Sequence, residues 1–195
     1  MREDIFKLCL GCGPHPKKGF INMDLREWKD EKGKPADIDV IHNATERPYP
    51  FSDQYFEEVH AIEFLEHISF RQTLLVISEV YRILEKGGKF YVQVPDCGKM
   101  MEHYVNKLIC DCIENKPQTD LQGYANQWCE KCGGRAKVHP TRWLLAFTGA
   151  QKHEGDTHLN IFTRERVEAC FKDGWKLDFE DDPREWKLKF TATKL

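Results

Sequence analysis

Short apolar runs separated by turn residues fill the first half of the chain. The run Phe6 to Leu10 ends at the turn Gly11-Cys12-Gly13, and a second run ends at Asp24. Continuous apolar runs of this length are typical of buried strands in a parallel sheet. Only seven residues separate Gly13 from Ile21, so a full helix cannot fit between these two predicted strands.

Helical spacing begins at Phe70, and a strand follows the helix. The apolar positions of this predicted helix are Leu74, Ile77, Tyr81 and Leu84, with Val76, Val80 and Ile83 widening the same face. Gly87-Gly88 is a typical stop signal for a helix. The run Phe90 to Val94 predicts a fifth strand, which ends just before Asp96 at the edge where open α/β sheets bind ligands.

The second half of the chain is irregular before it becomes periodic again. A helix is predicted at Lys99 to Glu114, and we interpret the irregular stretch from 97 to about 158 as an insertion. Thr163 can cap a short helix, and the runs 175–180 and 186–192 predict an antiparallel hairpin. We therefore expect a single α/β domain over residues 1–195, with a largely parallel sheet, a closing hairpin and an insertion after strand five.

Composition narrows the classes of function. The hydrophobic content of 41% and the charged content of 31% are those of an ordinary globular domain. A net charge of −3 and a sequence pI near 6.2 provide no basic field for a phosphate backbone, so nucleic acid is not an expected partner. Because the sequence shows neither a leader peptide nor a membrane-length apolar run, we expect a cytoplasmic protein with no membrane partner.

The glycine turn and Asp24 together indicate a nucleoside site. Backbone N–H groups of the turn can approach a ligand closely, and a carboxylate at a strand tip can accept hydrogen bonds from both ribose hydroxyls. A dinucleotide fingerprint has its third glycine at the position of Pro16 and its acidic residue about 20 residues on. Asp24 follows Gly11 by only thirteen residues, which disfavours a nicotinamide oxidoreductase. The alternatives are a tight turn with no ligand and a solvated or capping aspartate.

Four blocks of the chain resemble the class I S-adenosylmethionine-dependent methyltransferases, in particular a small branch whose glycine turn leads almost directly into the second strand. They are residues 6–25, residues 37–67 with the turn Pro50-Phe51-Ser52-Asp53 and the pair Glu66-His67, residues 82–88 and residues 90–96. The resemblance implies a Rossmann-like methyltransferase fold with strands three and four inside 37–67. It also implies S-adenosylmethionine as the cofactor and a small-molecule methyl acceptor that the sequence does not identify.

The resemblance implies roles for single residues as well. The cofactor-binding residues would be Gly11, Cys12 and Gly13 for the methionine part, Asp24 for the ribose, Asn43 and Ala44 for adenine, and Glu63 for the ammonium. Asn43 could instead form an Asx turn. Glu66-His67 could lie beside the methyl group or anchor the following helix.

Transfer to a hydroxyl or a protonated amine needs a general base. The candidates are Asp96, after the fifth strand, His103 on the following helix, and His158. Residues 149–162 resemble a stretch that returns to the pocket in small methyltransferases, which favours His158. A lone histidine can equally be a packed hydrogen-bonding group.

Four cysteines of the insertion suggest a metal site. Cys129 and Cys132 form a C-x-x-C knuckle, and Cys110 and Cys112 precede it, so four thiolates could hold a structural zinc that orders the insertion, with His139 as an alternative ligand. Free reduced cysteines and a redox pair are the alternatives. The same insertion suggests a second function, a non-catalytic methyltransferase-like module that binds a protein partner.

Overall fold

The structure, a computed structural model, describes residues 6–30, 32–105, 147–149, 155–180 and 186–195, and these form a seven-stranded sheet with helices packed on it. The strands are β1 (Lys7–Leu10), β2 (Ile21–Asp24), β3 (Val40–Ile41), β4 (Phe56–Ile62), β5 (Leu84–Pro95), β6 (Trp175–Glu180) and β7 (Lys187–Lys194). The helices are α1 (Phe70–Ile83), α2 (Cys97–Val105) and α3 (Arg164–Cys170), and a 3₁₀ turn spans Leu65–His67.

The strand order is β3-β2-β1-β4-β5-β7-β6. Strands β1 to β5 are parallel to their neighbours, whereas β7 runs antiparallel between β5 and β6. The direction in which strands are added reverses between β1 and β4, and open α/β sheets bind ligands outside the carboxyl ends at such a switch point. The predicted α/β fold, with a largely parallel sheet and a closing antiparallel hairpin, is confirmed.

One face of the sheet carries the hydrophobic core. Leu8, Val59, Phe90 and Ala192 lie in register on β1, β4, β5 and β7, and all four are fully buried. Helices α1 and α3 supply the other side of this core. The next register row, on the opposite face, mixes polar and aromatic side chains: Cys9, His60, Tyr91 and Thr191. Strand β1 is buried on both faces, as its continuous apolar run predicts, whereas β4 and β5 alternate.

The loop between β1 and β2 contains no helix, as predicted from its length. Its Lys17 extends over the second face of the sheet, where Nζ lies 2.8 Å from Nδ1 of His60 and 4.2 Å from the centre of the Phe20 ring. The Phe20 and His60 rings are in edge-to-face contact at 4.7 Å. A short loop therefore covers this part of the sheet with a lysine stem and an aromatic ring.

Helix α1 begins where the sequence predicts, but its buried face is rotated. The Ser69 side chain accepts from the N–H of Gln72 while the Gln72 side chain accepts from the N–H of Ser69, which is a capping box. Leu74, predicted to face the core, is 41% exposed. The buried apolar positions are Val76, Ile77, Val80 and Ile83.

The end of α1 also differs from the prediction. The helix ends at Ile83, four residues before Gly87, because Leu84 already pairs with Phe56 of β4. Gly87 adopts a left-handed conformation (φ 82°) inside the irregular start of β5. The glycine pair therefore shapes the entry to a strand and does not stop the helix.

Arg82, on the last turn of α1, ties the helix to the turn that precedes β4. Its Nη1 donates to the Phe51 carbonyl at 2.9 Å and to the Asp53 carboxylate at 2.6 Å, while Nε donates to Glu79 at 2.8 Å. Glu79 in turn accepts from the backbone N–H of Tyr49 at 2.8 Å. Two of the sequence blocks, 37–67 and 82–88, are thus joined through one guanidinium.

Arg82→Lys is expected to lower the free energy of unfolding by about 2 kcal/mol. A lysine ammonium lacks the planar guanidinium and cannot reach the Phe51 carbonyl, Asp53 and Glu79 together. At least one of these acceptors therefore loses its hydrogen-bond donor. Urea unfolding measures the change. Arg71→Lys, at an exposed position of the same helix, is the matched control and should change stability by less than about 0.5 kcal/mol; equal stability of the two variants would contradict the assigned role.

Residues 106–146, the greater part of the predicted insertion, lie outside the described residues, so the insertion and the single-domain organisation stay predictions. Helix α2 begins at Cys97, two residues before the predicted start. Within the described part of the chain, no helix has the length and apolar character that crossing a membrane requires.

Candidate functional site

The carboxyl ends of the five parallel strands place the predicted site residues along one edge of the sheet. The residues that end or directly follow these strands are Gly11, Asp24, His42-Asn43, Glu63 and Asp96. Because β1 and β4 flank the switch point, Gly11 and Glu63 border the crevice where a ligand is expected. The sequence analysis predicted residues at this edge although it did not predict the strand order.

Gly11 is required by a close contact with Phe64. Its φ is +61°, and a Cβ at this position would lie 2.8 Å from Cγ of the Phe64 ring and closer still to Cδ2. The Gly11 N–H donates to the carbonyl of Met23 at 2.9 Å, which extends the β1–β2 pairing. Gly11 therefore lets the Phe64 side chain close over the end of β1.

Gly13 and Asp24 form the central contact of the site. The backbone N–H of Gly13 donates to Oδ2 of Asp24 at 2.8 Å. The other carboxylate oxygen, Oδ1, accepts from the Leu25 N–H and from Nε1 of Trp28, both at 2.8 Å. Asp24 is 8% exposed, and a Cβ added to Gly13 would meet no heavy atom of the described residues within 4 Å. A fixed carboxylate and backbone N–H groups therefore border open space.

Cys12 lies between the two glycines as a neutral thiol. Burial, followed by the negative charge of Asp24, raises its pKa to about 12. At neutral pH it therefore offers no thiolate to a ligand. The backbone, and not the sulfur, is the part of Cys12 that can serve a cofactor.

Asn43 and Ala44 occupy a tightly hydrogen-bonded turn after β3. The Asn43 side-chain oxygen accepts from both the backbone N–H and the hydroxyl of Thr45, and its amide nitrogen lies 3.1 Å from Glu46 Oε1. The Ala44 carbonyl accepts from the Tyr49 hydroxyl at 2.7 Å. These bonds are those of an Asx turn, which leaves little of the Asn43 amide for adenine.

Glu63 already has a cationic partner. It forms an ion pair with Lys187 of β7 and accepts from Nε2 of Gln93 at 3.1 Å. Its φ of +52° is unusual for a residue with a side chain. A cofactor ammonium would have to share this carboxylate with Lys187.

Asp96 acts as the cap of α2. Its Oδ1 accepts from the backbone N–H of Lys99 at 2.9 Å, and its own N–H donates to the carbonyl of Trp186 at 2.9 Å. It is 6% exposed. His103 lies further along the same helix. One oxygen of the Asp96 carboxylate therefore caps the helix, where the charge also balances the positive end of the helix.

His158 meets the Glu66-His67 pair. The rings of His67 and His158 lie 4.9 Å apart at 80°, and one ligand atom each from Glu66, His67 and His158 lie within 4.8 Å of one another. Burial, followed by the charge of Glu63, raises the pKa of Glu66 to about 8. Burial and the nearby His158 lower the pKa of His67. The structure thus groups three ionisable side chains that the sequence analysis assigned separately.

The predicted zinc ligands Cys110, Cys112, Cys129 and Cys132 lie outside the described residues, as does His139. Of the described cysteines, Cys9 is buried with a pKa raised to about 11, as expected of a small core residue.

Phe64, Trp28 and Lys187 are parts of the site that the sequence analysis missed. Of these three, Trp28 could have been found from the sequence, because it follows Asp24 by only four residues. An indole N–H usually donates to an acceptor, and the strand-tip carboxylate is close by in the chain. Lys187 gives no such signal, since it comes from the other end of the chain.

Comparison with known proteins identifies the fold. A family model described as a methyltransferase domain matches residues 20–92, which run from the residue before β2 into β5. No curated protein matches the chain. The matched segment contains Asp24, the turn after β3, and the Glu63 to His67 stretch.

Solved structures of the same fold cover nearly the whole chain. A Pyrococcus horikoshii protein is 16% identical, with a TM-score of 0.56 over 97% of this chain and 81% of its own. A Methanosarcina mazei SAM-dependent methyltransferase is 14% identical, with a TM-score of 0.53 over 97% and 92%. The 1,6-didemethyltoxoflavin-N1-methyltransferase of Burkholderia thailandensis, solved with 1,6-didemethyltoxoflavin and S-adenosylhomocysteine, is 12% identical, with a TM-score of 0.52 over 96% and 70%.

Together, the family match over residues 20–92 and the shared fold support the resemblance that the motifs show to the class I S-adenosylmethionine-dependent methyltransferases.

Proposed function

We propose that the protein transfers a methyl group from S-adenosylmethionine to a small-molecule acceptor. The observation that supports this most directly is the contact between the Gly13 N–H and Asp24 Oδ2 at 2.8 Å, beside open space at the switch point of the sheet. Among the described residues, Oδ2 accepts only from Gly13. A carboxylate oxygen has a second acceptor site, so it can also receive a ribose hydroxyl.

Neighbouring residues fit the other parts of the cofactor. Leu25, directly after Asp24, is 62% exposed, and an apolar side chain there can cover the adenine ring. Backbone groups of residues 11–13 are available to the carboxylate of the methionine part. Because the Asn43 amide is engaged in its own turn, we assign adenine recognition to apolar contact more than to that side chain.

Methyl transfer from a sulfonium is an in-line displacement, so the enzyme must hold the acceptor atom behind the methyl group and exclude water. Little covalent chemistry is left to the protein. Of the three candidate bases, Asp96 caps α2 and His103 lies further along that helix, whereas His158 lies in a cluster of ionisable groups at the end of β4. We therefore place the acceptor beside His158. The Burkholderia neighbour was solved with a small molecule and S-adenosylhomocysteine together, which supports a small-molecule acceptor.

Asp24→Asn is expected to weaken binding of S-adenosylhomocysteine by about 10- to 100-fold, because charge-assisted hydrogen bonds to the ribose become neutral ones. Calorimetric titration of the full chain measures the affinity. Asp39→Asn is the control: its carboxylate accepts from the N–H of Asn22, two residues before Asp24, at 2.8 Å, and we expect affinity within about twofold of the parent. Unchanged affinity in the Asp24 variant would refute the proposed cofactor site.

Activity is tested separately from binding. The full chain with S-adenosylmethionine and panels of small hydroxyl, amine and carbon acceptors should release S-adenosylhomocysteine with at least one of them. Tight cofactor binding with no turnover on any panel, together with binding of a protein partner, would instead favour a non-catalytic module.

A further inference from the structure

We propose that Glu66, His67 and His158 form a binding site for a divalent first-row transition-metal ion. One ligand atom from each residue lies within 4.8 Å of the other two. A cation bound about 2.0–2.2 Å from each ligand draws such atoms to about 3–4 Å from one another. Small side-chain rotations are sufficient for that.

The cluster contains buried polar atoms that find no partner among the described residues. Glu66 is 1% exposed, and neither of its carboxylate oxygens has a hydrogen-bond partner in the part of the chain that the structure describes. Nδ1 of His67 is likewise buried without a partner there. Each such atom carries a desolvation cost that no hydrogen bond offsets. A single cation would satisfy acceptors from both residues at once, which a proton on one of them does not.

The backbone holds the ligands in place before any metal binds. Glu66 and His67 belong to the 3₁₀ turn after β4, and the Glu66 carbonyl accepts from the N–H groups of Leu159 and Asn160 at 2.8 and 3.1 Å. The N–H of His158 donates to the carbonyl of Thr148 at 3.2 Å. The segment that carries His158 is thus fastened to the turn that carries the other two residues.

The ligand set selects the class of metal. Two imidazoles with one carboxylate suit Zn²⁺, Fe²⁺, Co²⁺ or Mn²⁺, whereas Mg²⁺ and Ca²⁺ prefer oxygen ligands throughout. Three protein ligands also leave coordination positions open, which is typical of sites that act on a substrate. If the proposed methyl transfer holds, an acceptor oxygen could take an open position, and His158 would then be a ligand and not the general base.

Metal binding can be measured without a cofactor or an acceptor, so its outcome is independent of the proposed methyl transfer. The 195-residue chain, stripped with a chelator, is dialysed against Mn²⁺. This ion has little affinity for thiolates and therefore avoids the predicted cysteine site. We expect one Mn²⁺ per chain in the parent and a loss of affinity of more than about 100-fold in His67→Ala, His158→Ala and Glu66→Gln.

Two controls keep the test decisive. His42→Asn removes an imidazole beside β3, outside the cluster, and Cys129→Ser removes a predicted zinc ligand; both should bind Mn²⁺ as the parent does. Glu66→Gln keeps the shape of the side chain, so thermal unfolding with and without Mn²⁺ separates lost binding from lost folding. No binding by the parent at millimolar Mn²⁺, or equal binding by all three cluster variants, would overturn the proposal.

Discussion

Gly11→Ala is expected to lower the free energy of unfolding by about 2–5 kcal/mol and to abolish measurable binding of S-adenosylhomocysteine. The left-handed backbone at φ +61° costs a residue with a Cβ about 1–2 kcal/mol. Crowding against the Phe64 ring, 2.8 Å from the new Cβ at Cγ, adds about 1–3 kcal/mol. Because the same turn carries the N–H that reaches Asp24, relief of the clash displaces the proposed cofactor site. Urea unfolding and calorimetry measure the two effects.

Gly13→Ala is the matched control for this prediction. Gly13 has nearly the same conformation, φ +55°, but within the described ranges a Cβ there would meet no heavy atom within 4 Å. Only the cost of the left-handed backbone applies to Gly13→Ala, so the free energy of unfolding should fall by about 1–2 kcal/mol. The double variant Gly11→Ala with Phe64→Leu should recover part of the difference. If Gly11→Ala and Gly13→Ala were equally stable, the Phe64 contact would not be the reason for the glycine.

The edge of the sheet that carries the site could be predicted because it depends on local signals. Strand ends can be recognised from apolar runs that stop at a glycine, a carboxylate or a proline, and parallel strands bring such ends to one edge. Gly11, Asp24 and Asp96 were placed in this way and Glu63 by the family resemblance, and the structure brings all four to that edge. The absence of a helix between β1 and β2 followed from chain length alone.

The partners of those residues could not be predicted, since they depend on which distant elements become neighbours. Glu63 pairs with Lys187 only because β7 lies beside β5, an order that hydrophobic periodicity does not contain. His158 joins Glu66 and His67 through backbone bonds from 158–160 to the turn after β4, which local patterns do not show. The sequence therefore predicted the positions of these residues along the chain, and their functional roles remain predictions.

Helix α1 shows a similar limit. Spacing of three and four residues predicts a helix, but it leaves the rotation open when apolar residues cover more than one face. Leu74 and Val76 both fit the pattern, and only packing on the sheet decides that Val76 is buried and Leu74 exposed. The competition between helix and strand at Leu84 was settled by pairing with Phe56, a long-range contact that overrides the glycine signal.

Glu66→Gln is expected to stabilise the metal-free protein at alkaline pH and to leave its stability nearly unchanged near pH 4.5. Burial raises the pKa of Glu66 from 4.5 to about 8, so the folded protein keeps a proton that the unfolded chain releases. The stability of the parent therefore falls as pH rises between these values, by up to roughly 5 kcal/mol at 1.36 kcal/mol per pKa unit. Glutamine does not titrate. The advantage of the variant should grow across this window and become constant above about pH 8.

Urea unfolding between pH 4.5 and 9, with a chelator present, gives the free energy of unfolding of the variant and of the parent. The difference between the two is followed as a function of pH. Charged or titrating groups around Glu66 are Glu63, Lys187, His67, His158 and Asp156, and their own titrations largely cancel in that difference. Glu79→Gln is the control, because its effect on stability should have the opposite sign to that of Glu66→Gln. Arg82 and the Tyr49 N–H hold the pKa of Glu79 below its usual range, so this variant should be less stable than the parent at neutral pH, and the deficit should shrink as pH falls through the folded pKa. A pH-independent difference for Glu66→Gln would mean that the buried carboxylate is ionised in the folded protein and already has a counter-charge.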